Sequence, residues 1–253
     1  MKIYPKVSII TVCYNCQDVI EKTVQSVIQH DRGLYEYIVV DGGSVDNTLQ
    51  IIHKYNEYID ILISEPDKGI YDAMNKGLAR ANAEWVFFLN AGDYFLSVSP
   101  LHNIPFDNYS NKLEVAGIYC DYMYSTKDGK MPVLCTKPFF TKGYIRLIFN
   151  PSMGFHHQSI FTRTQYAKKI MFDTNYKLCA DFNMIFTLYK QGFEYVHYPT
   201  FITCIEGSDG ASFNNPILQR IEHYKLLGLD HNPLAKVVLI YKSIKRKIKE
   251  IVI

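Results

Sequence analysis

The chain has 253 residues, 48% hydrophobic and 21% charged, enough to bury a full core and most simply read as one α/β domain with additions. Residues 233–253 hold six Lys/Arg against one Glu, +5 locally, so a total of +2 leaves −3 on the rest. An acidic body argues against a nucleic-acid-binding protein, whose footprint is a basic face on the folded domain, and no stretch reaches the ~18 consecutive apolar residues of a membrane-spanning helix.

In chain order, Val7 to Val12 is a β-branched apolar run, and Val19, Ile20, Val24, Val27 and Ile28 recur at helical spacing. Tyr37 to Val40 predicts a strand, Leu49 to Tyr55 a helix, Ile59 to Ile63 a strand, Ala73 to Ala81 a helix and Trp85 to Leu89 a strand. Four strands joined by three helices are βαβ units, so the expected core is a parallel sheet with right-handed crossovers. After Asp93 the rhythm breaks at Pro100, Pro105, Asn108 and Asn111. An antiparallel pair is expected over Glu114–Tyr124 and Met131–Pro138, turning at Lys127-Asp128-Gly129-Lys130, as an insertion beside the sheet edge. A helix near Asp181 and a strand at Tyr195–Tyr198 follow, then a loop from Glu206 to Ser212. Its two glycines suit a lid over a ligand or an ordinary surface loop.

Six cysteines form no dense framework, and no secretory signal opens the sequence, so reduced cytosolic thiols are expected. Cys13-Tyr14-Asn15-Cys16 matches C-x-x-C, but no second pair stands at zinc-ligand spacing, and the pattern alone is a weak redox signal. Twenty Tyr and fifteen Phe invite a sugar-stacking role, although most aromatics serve packing.

In open α/β sheets ligands sit beyond the carboxyl ends of the strands. Thr11, Tyr14 and Asn15 stand at the end of the first strand and Asp41, Gly42, Gly43 and Ser44 at the end of the second. Asp41 suits a base N–H or a ribose hydroxyl, and two residues without Cβ let the backbone approach a ligand. The same residues also make a turn with Ser44 or Asp46 capping the next helix. Asp93, closing the apolar run 85–89, suits a divalent cation on a diphosphate or an Asx turn. His156 and His157, if on a strand, point to opposite faces and do not share one ion.

Four ordered motifs then carry a resemblance. Val-Ser-Ile-Ile-Thr-Val-x-Tyr-Asn at 7–15, Val-Asp-Gly-Gly-Ser-x-Asp-Asn-Thr at 40–48, Ser-Glu-x-Asp-x-Gly-Ile-Tyr-Asp-Ala-Met-Asn-Lys-Gly at 64–77 and Leu-Asn-Ala-Gly-Asp at 89–93 resemble the family 2 glycosyltransferases of GT-A fold, closest to bacterial members that build capsule or exopolysaccharide repeat units. The likeness extends through His156-His157-Gln158-Ser159-Ile160-Phe161 to Ala180-Asp181-Phe182 and covers roughly residues 6–212. It implies a GT-A domain over 1–212, a Rossmann-like, mostly parallel sheet flanked by helices with a small antiparallel addition, and a helical extension over 213–253.

The resemblance further implies an inverting transfer from a nucleoside diphosphate sugar, UDP-linked by default, to a hydroxyl of a lipid-linked saccharide. Thr11, Tyr14, Asn15 and Asp41 would hold the donor, with Asp67, Lys68 and Asn75 near the nucleotide or diphosphate. The family's metal motif is usually Asp-x-Asp; here Asn90-Ala91-Gly92-Asp93 keeps one carboxylate, so contact with Mg or Mn carries over to Asp93 alone and Asn90 is left as a supporting or sugar contact. Asp181 matches the catalytic base, although Asp is also a good residue for a helix start. His157 with Gln158 falls on the acceptor side.

Two rival readings stay in view: a sugar nucleotidyltransferase, which would want a glycine-rich basic loop where Thr11 to Asp18 has neither Gly nor Arg, and a non-catalytic nucleotide-sugar-binding subunit. The tail 233–253, as a helix, places Val237, Ile240, Ile244, Ile248 and Ile251 near one face with Lys245, Arg246 and Lys249 elsewhere. That pattern suits contact of a cytoplasmic enzyme with the anionic inner leaflet, or a solvated helix packed on the domain.

Overall fold

The computed structural model describes residues 5–96, 100–126, 129–136, 144–151, 153–206 and 214–252. The first four strands, β1 (Val7–Cys13), β2 (Tyr35–Asp41), β3 (Ile61–Ser64) and β4 (Trp85–Phe88), pair in the order β3-β2-β1-β4, all parallel. Helices α1 (Ile20–Ile28), α2 (Thr48–His53) and α3 (Ile70–Arg80) connect them. Every residue of β1 is buried, as expected of a strand covered on both faces. Ile9 packs with Val24, Val27, Tyr37 and Phe87 on one side, while Ile10 packs with Ile38, Met74, Leu78 and Phe88 on the other. The register places Cys13 beside Asp41 and Asp41 beside Ser64, so three strands end level.

Beyond β4 the sheet continues through β8 (Ile160–Arg163), β6 (Val115–Thr126), β9 (Glu194–Glu206) and β5 (Tyr94–Phe95), with β7 (Gly129–Val133) paired to β6. The expected hairpin forms, but its first strand is not an insertion at the sheet edge. β6 lies between β8 and β9, antiparallel to one and parallel to the other. Both partners are distant in sequence, and alternation within 115–126 does not announce them. β9 is also far longer than Tyr195–Tyr198, because two irregularities in its register around Asp121 let it follow β6 throughout. The turn residues Lys127 and Asp128 and the loop 207–213 lie outside the described residues.

Short helices α4 (Pro100–Asn103), α5 (Tyr144–Phe149) and α6 (Thr164–Ile170) are followed by α7 (Ala180–Lys190), α8 (Pro216–Leu226) and α9 (Pro233–Val252). The side chains of α6 and α7 cover the α3 face of the sheet. Leu147 and Ile148 of α5, Tyr224 of α8 and Ala235 and Val238 of α9 form a separate small core. Glu222 of α8 binds the chain just before α7, accepting from Lys177 N at 2.8 Å and Leu178 N at 2.9 Å. All six cysteines are free thiols; Cys16 lies four residues before α1 rather than opening it, which is not the placement of a thioredoxin-like pair.

Candidate active site

Two groups of side chains gather at the carboxyl edge of the sheet. The first lies at the ends of β1, β2 and β3. Asp41 is fully buried, and its carboxylate accepts from Gly43 N (3.1 Å), Ser44 N (3.1 Å), Ser44 Oγ (2.5 Å) and Ser64 Oγ (2.8 Å). It organises the Gly42–Ser44 loop at the end of β2. Thr11 is likewise buried and accepts a hydrogen bond from Tyr37 Oη at 3.1 Å. Asn15, at φ +46°, accepts from Val45 N at 2.9 Å and bonds Ser44 Oγ through its own N–H at 2.8 Å, so its side chain clamps one loop to the other.

Exposed or half-exposed at this cluster are Tyr14, 60% exposed, Gly43, Asp67 and Lys68. A Cβ on Gly42 would lie 2.3 Å from Asp67 Oδ2 and 3.4 Å from Tyr14 Cδ2, which is why glycine stands there. Asp67 Oδ1 accepts from Gly69 N at 2.7 Å and helps turn the chain into α3. The Asn75 amide donates to Phe172 O and accepts from Phe172 N, both at 2.8 Å, and so brackets α3 to the segment after α6.

The second group floors a cleft of about 1010 Å³ between the Asn90–Asp93 turn, the start of α7 and α8. Asp181, in the first turn of α7, accepts from Tyr71 Oη at 3.0 Å on Oδ1 and pairs with His157 Nδ1 at 3.0 Å on Oδ2. Burial pushes its pKa upward, but the neighbouring His157 and the bonds from His157, Phe182 N–H and Tyr71 outweigh it and hold the carboxyl at about 2. Asp181 is therefore ionised throughout the neutral range. The same contact pushes the Tyr71 phenol well above its usual value, burial first and the Asp181 charge second.

His157 opens a 3₁₀ turn (His157–Ser159), not a strand, so the two histidines do not point to opposite faces; their rings pack 4.5 Å apart. Burial drives the His156 pKa down to about 3, keeping that ring neutral. The other nitrogen of His157, Nε2, meets Asn90 Nδ2 at 3.5 Å. Gln158 lines the cleft beside Asn90 and Asp93. It is buried, its Oε1 accepts from Asn90 N at 3.1 Å, and its side chain also bonds Asp93.

Asp93 is buried, and burial lifts its pKa to about 6 although Glu206 N–H, Gln158 and the neighbouring His157 pull it back. A carboxylate so under-compensated suits a cation, and Asn90 Oδ1 beside it in the chain is buried without a hydrogen-bond partner. No three His, Cys, Asp or Glu side chains among the described residues gather to hold a metal. The chain thus offers one carboxylate, which fits an ion such as Mg²⁺ that takes one or two carboxylates and completes its shell with phosphate oxygens and water.

Three contributors to the cleft went unmarked in the sequence reading: Tyr71, Lys22 and α8. Tyr71 lay inside a quoted motif without a role. Lys22 pairs with Glu206 at 3.0 Å and stands 3.6 Å from the Tyr94 ring centre, contacts across the sheet that spacing cannot reveal. Gln219, Arg220 and His223 of α8 line the wall, though 213–253 carries no motif that points to the cleft.

A parallel α/β half extended by β8, β6 and β9, with its cleft past the strand ends, defines the GT-A class of fold. The profile of the Glycosyl transferase family 2 matches residues 8–98, so the chain carries a domain of that family there. A Bacillus subtilis protein, TuaG, whose name assigns it to teichuronic acid biosynthesis, is 40% identical over 92 residues, 35% of this chain and 36% of that protein. Such matches span about a third of the curated relatives' length. Among solved structures, Staphylococcus aureus TarS 1–349 in complex with UDP-GlcNAc superposes with a TM-score of 0.68 at 20% identity, covering 89% of this chain and 65% of that one. The mannosyltransferase PcManGT of Pyrobaculum calidifontis, in complex with GDP-Man and Mn2+, gives 0.66 at 17% identity over 94% and 69%. These likenesses bear on the fold.

Proposed function

We propose that this chain is an inverting glycosyltransferase that moves a sugar from a nucleoside diphosphate sugar to an acceptor hydroxyl in bacterial surface polysaccharide or glycolipid synthesis. The observation that carries the reading is Asp181: a buried carboxylate held ionised by Tyr71 and His157 on the floor of a large cleft, beside the Asn90–Asp93 turn. One displacement at the anomeric carbon needs a group to take the acceptor's proton, and Asp181 is the carboxylate of that base. Tyr14, Asp67 and Lys68 hold the nucleotide end, with Gly42 and Gly43 letting the loop after β2 pack against Asp67 and Pro66 beside it. A divalent cation, when bound, neutralises the leaving diphosphate, with Asp93 as its ligand from the protein.

The acceptor is a lipid-linked saccharide, reached from the α8 side. Val237, Ile240, Tyr241 and Ile244 of α9 are exposed beside Ile145 and Phe149 of α5, and the same helix carries the Lys/Arg excess. No helix among the described residues is long and apolar enough to cross a membrane, and this surface suits lying on an anionic leaflet. Thermal shift with UDP, GDP, CMP and dTDP, each with and without Mn²⁺, tests the donor side, because a ligand that binds the native state raises its stability. One nucleotide is expected to shift the transition in a metal-dependent way; no response to any contradicts the reading.

A further inference from the structure

Asp181 is poorly placed to take a proton itself. Both its oxygens already accept hydrogen bonds, and its side chain is 13% exposed against 23% for His157, which lines the same cleft. We propose that Nε2 of His157 is the atom that takes the acceptor's proton, with Asp181 as the carboxylate that orients and charges it. This rests on the transferase reading and moves the accepting atom one group outward.

The geometry dictates the tautomer. Two lone pairs facing each other at the 3.0 Å between Nδ1 and Asp181 Oδ2 would repel, so a proton lies between them. With the carboxylate ionised, that proton is on Nδ1, and a neutral ring then keeps its lone pair on Nε2. Among the described residues, Nε2 meets Asn90 Nδ2 at a long 3.5 Å, a contact that an acceptor hydroxyl can replace. Carboxylate, imidazole Nδ1–H and a free Nε2 in line is the arrangement that activates hydroxyl nucleophiles on unrelated folds. Tyr71 completes it by fixing the far oxygen of Asp181.

The step balances. The acceptor O–H proton passes to Nε2 as the oxygen's electron pair forms the bond to the anomeric carbon. The bond from that carbon to the diphosphate oxygen breaks, and its pair leaves with the nucleoside diphosphate. The imidazolium formed is paired with Asp181 and returns its proton to water.

The test is chemical rescue. His157→Ala and His157→Gln are assayed for transfer with the donor and acceptor that the wild type uses, with nucleotide-induced thermal shift as the check that both fold and bind. Both variants are expected to lose ~100-fold or more in transfer at unchanged nucleotide affinity, within the range typical of a general base. Added imidazole should restore transfer in His157→Ala and leave Asp181→Asn inactive. Transfer within a few-fold of wild type in His157→Gln, or a loss that imidazole does not restore in a nucleotide-binding His157→Ala, overturns the proposal and returns the proton to Asp181. Absence of turnover in the wild type itself overturns the transferase reading, and this one with it.

Discussion

At the scale of residues, the two cleft aspartates are set in opposite directions. Asp93 is raised to about 6 by burial, so it adds stability that is complete below its unfolded value and is lost as pH rises through 6. Asp181, held at about 2, adds stability present above its unfolded value and lost as pH falls towards 2, worth about 2 kcal/mol at neutral pH. A ligand carboxyl must lose its proton before it binds a cation. Mn²⁺ binding to the nucleotide-loaded protein should therefore tighten by about 10-fold between pH 5 and pH 7.5, the gain flattening above pH 7. Titration calorimetry on wild type and Asp93→Asn reads this; equal affinities at both pH values in the wild type would remove Asp93 as the ligand. A polar residue in a motif has the same appearance in the sequence whether or not it also ties the chain together. Asp41 and Asn15 hold their loops and Asn75 holds α3, through Ser64, Val45 and Phe172, partners that the sequence does not name.

At the scale of elements, α3 carries both the motif and the close packing that holds it. A Cβ on Gly77 would lie 2.5 Å from Ile10 Cγ2 and 3.2 Å from Val40 Cγ2, so the helix sits on β1 and β2 at glycine distance. Gly77→Ala is expected to cost ~1–3 kcal/mol by overpacking, measured by urea denaturation; a neutral effect would mean that α3 can lift without strain. The parallel half was legible because helices alternate with its four strands at regular spacing, with apolar runs too uniform to be one-sided. α3 begins at Ile70, three residues before the expected start, because Gly69 at φ +115° turns the chain and Asp72 accepts from Lys68 N at 3.0 Å. The order β8-β6-β9 was not legible. Its ladders join segments up to about eighty residues apart, and nothing local to Val115–Thr126 names its partners.

At the scale of the whole molecule, the cleft is closed on one side by the sheet edge and on the other by α8, whose Glu222 binds the chain just before α7. The same small core that seats α8 also seats α9 and α5, so the exposed apolar residues of these two helices and the cleft wall belong to one packed unit. Co-sedimentation with vesicles should show binding to phosphatidylglycerol-containing membranes and little to pure phosphatidylcholine. Val237→Ser with Ile240→Ser should weaken it by ~10-fold or more, as removal of two buried side chains requires. Equal retention of both vesicle types, or none, would leave α9 as a solvated helix.

The most direct measurement is release of nucleoside diphosphate from a panel of UDP-, GDP- and dTDP-sugars in the presence of a lipid-linked saccharide acceptor, wild type against Asp181→Asn. The wild type should consume one sugar nucleotide, and the variant should be slower by ~1000-fold while giving the same nucleotide-induced thermal shift, because it keeps the donor site and loses the charge of the base. Transfer by Asp181→Asn at the wild-type rate would contradict the assignment of this cleft as the place where the sugar moves.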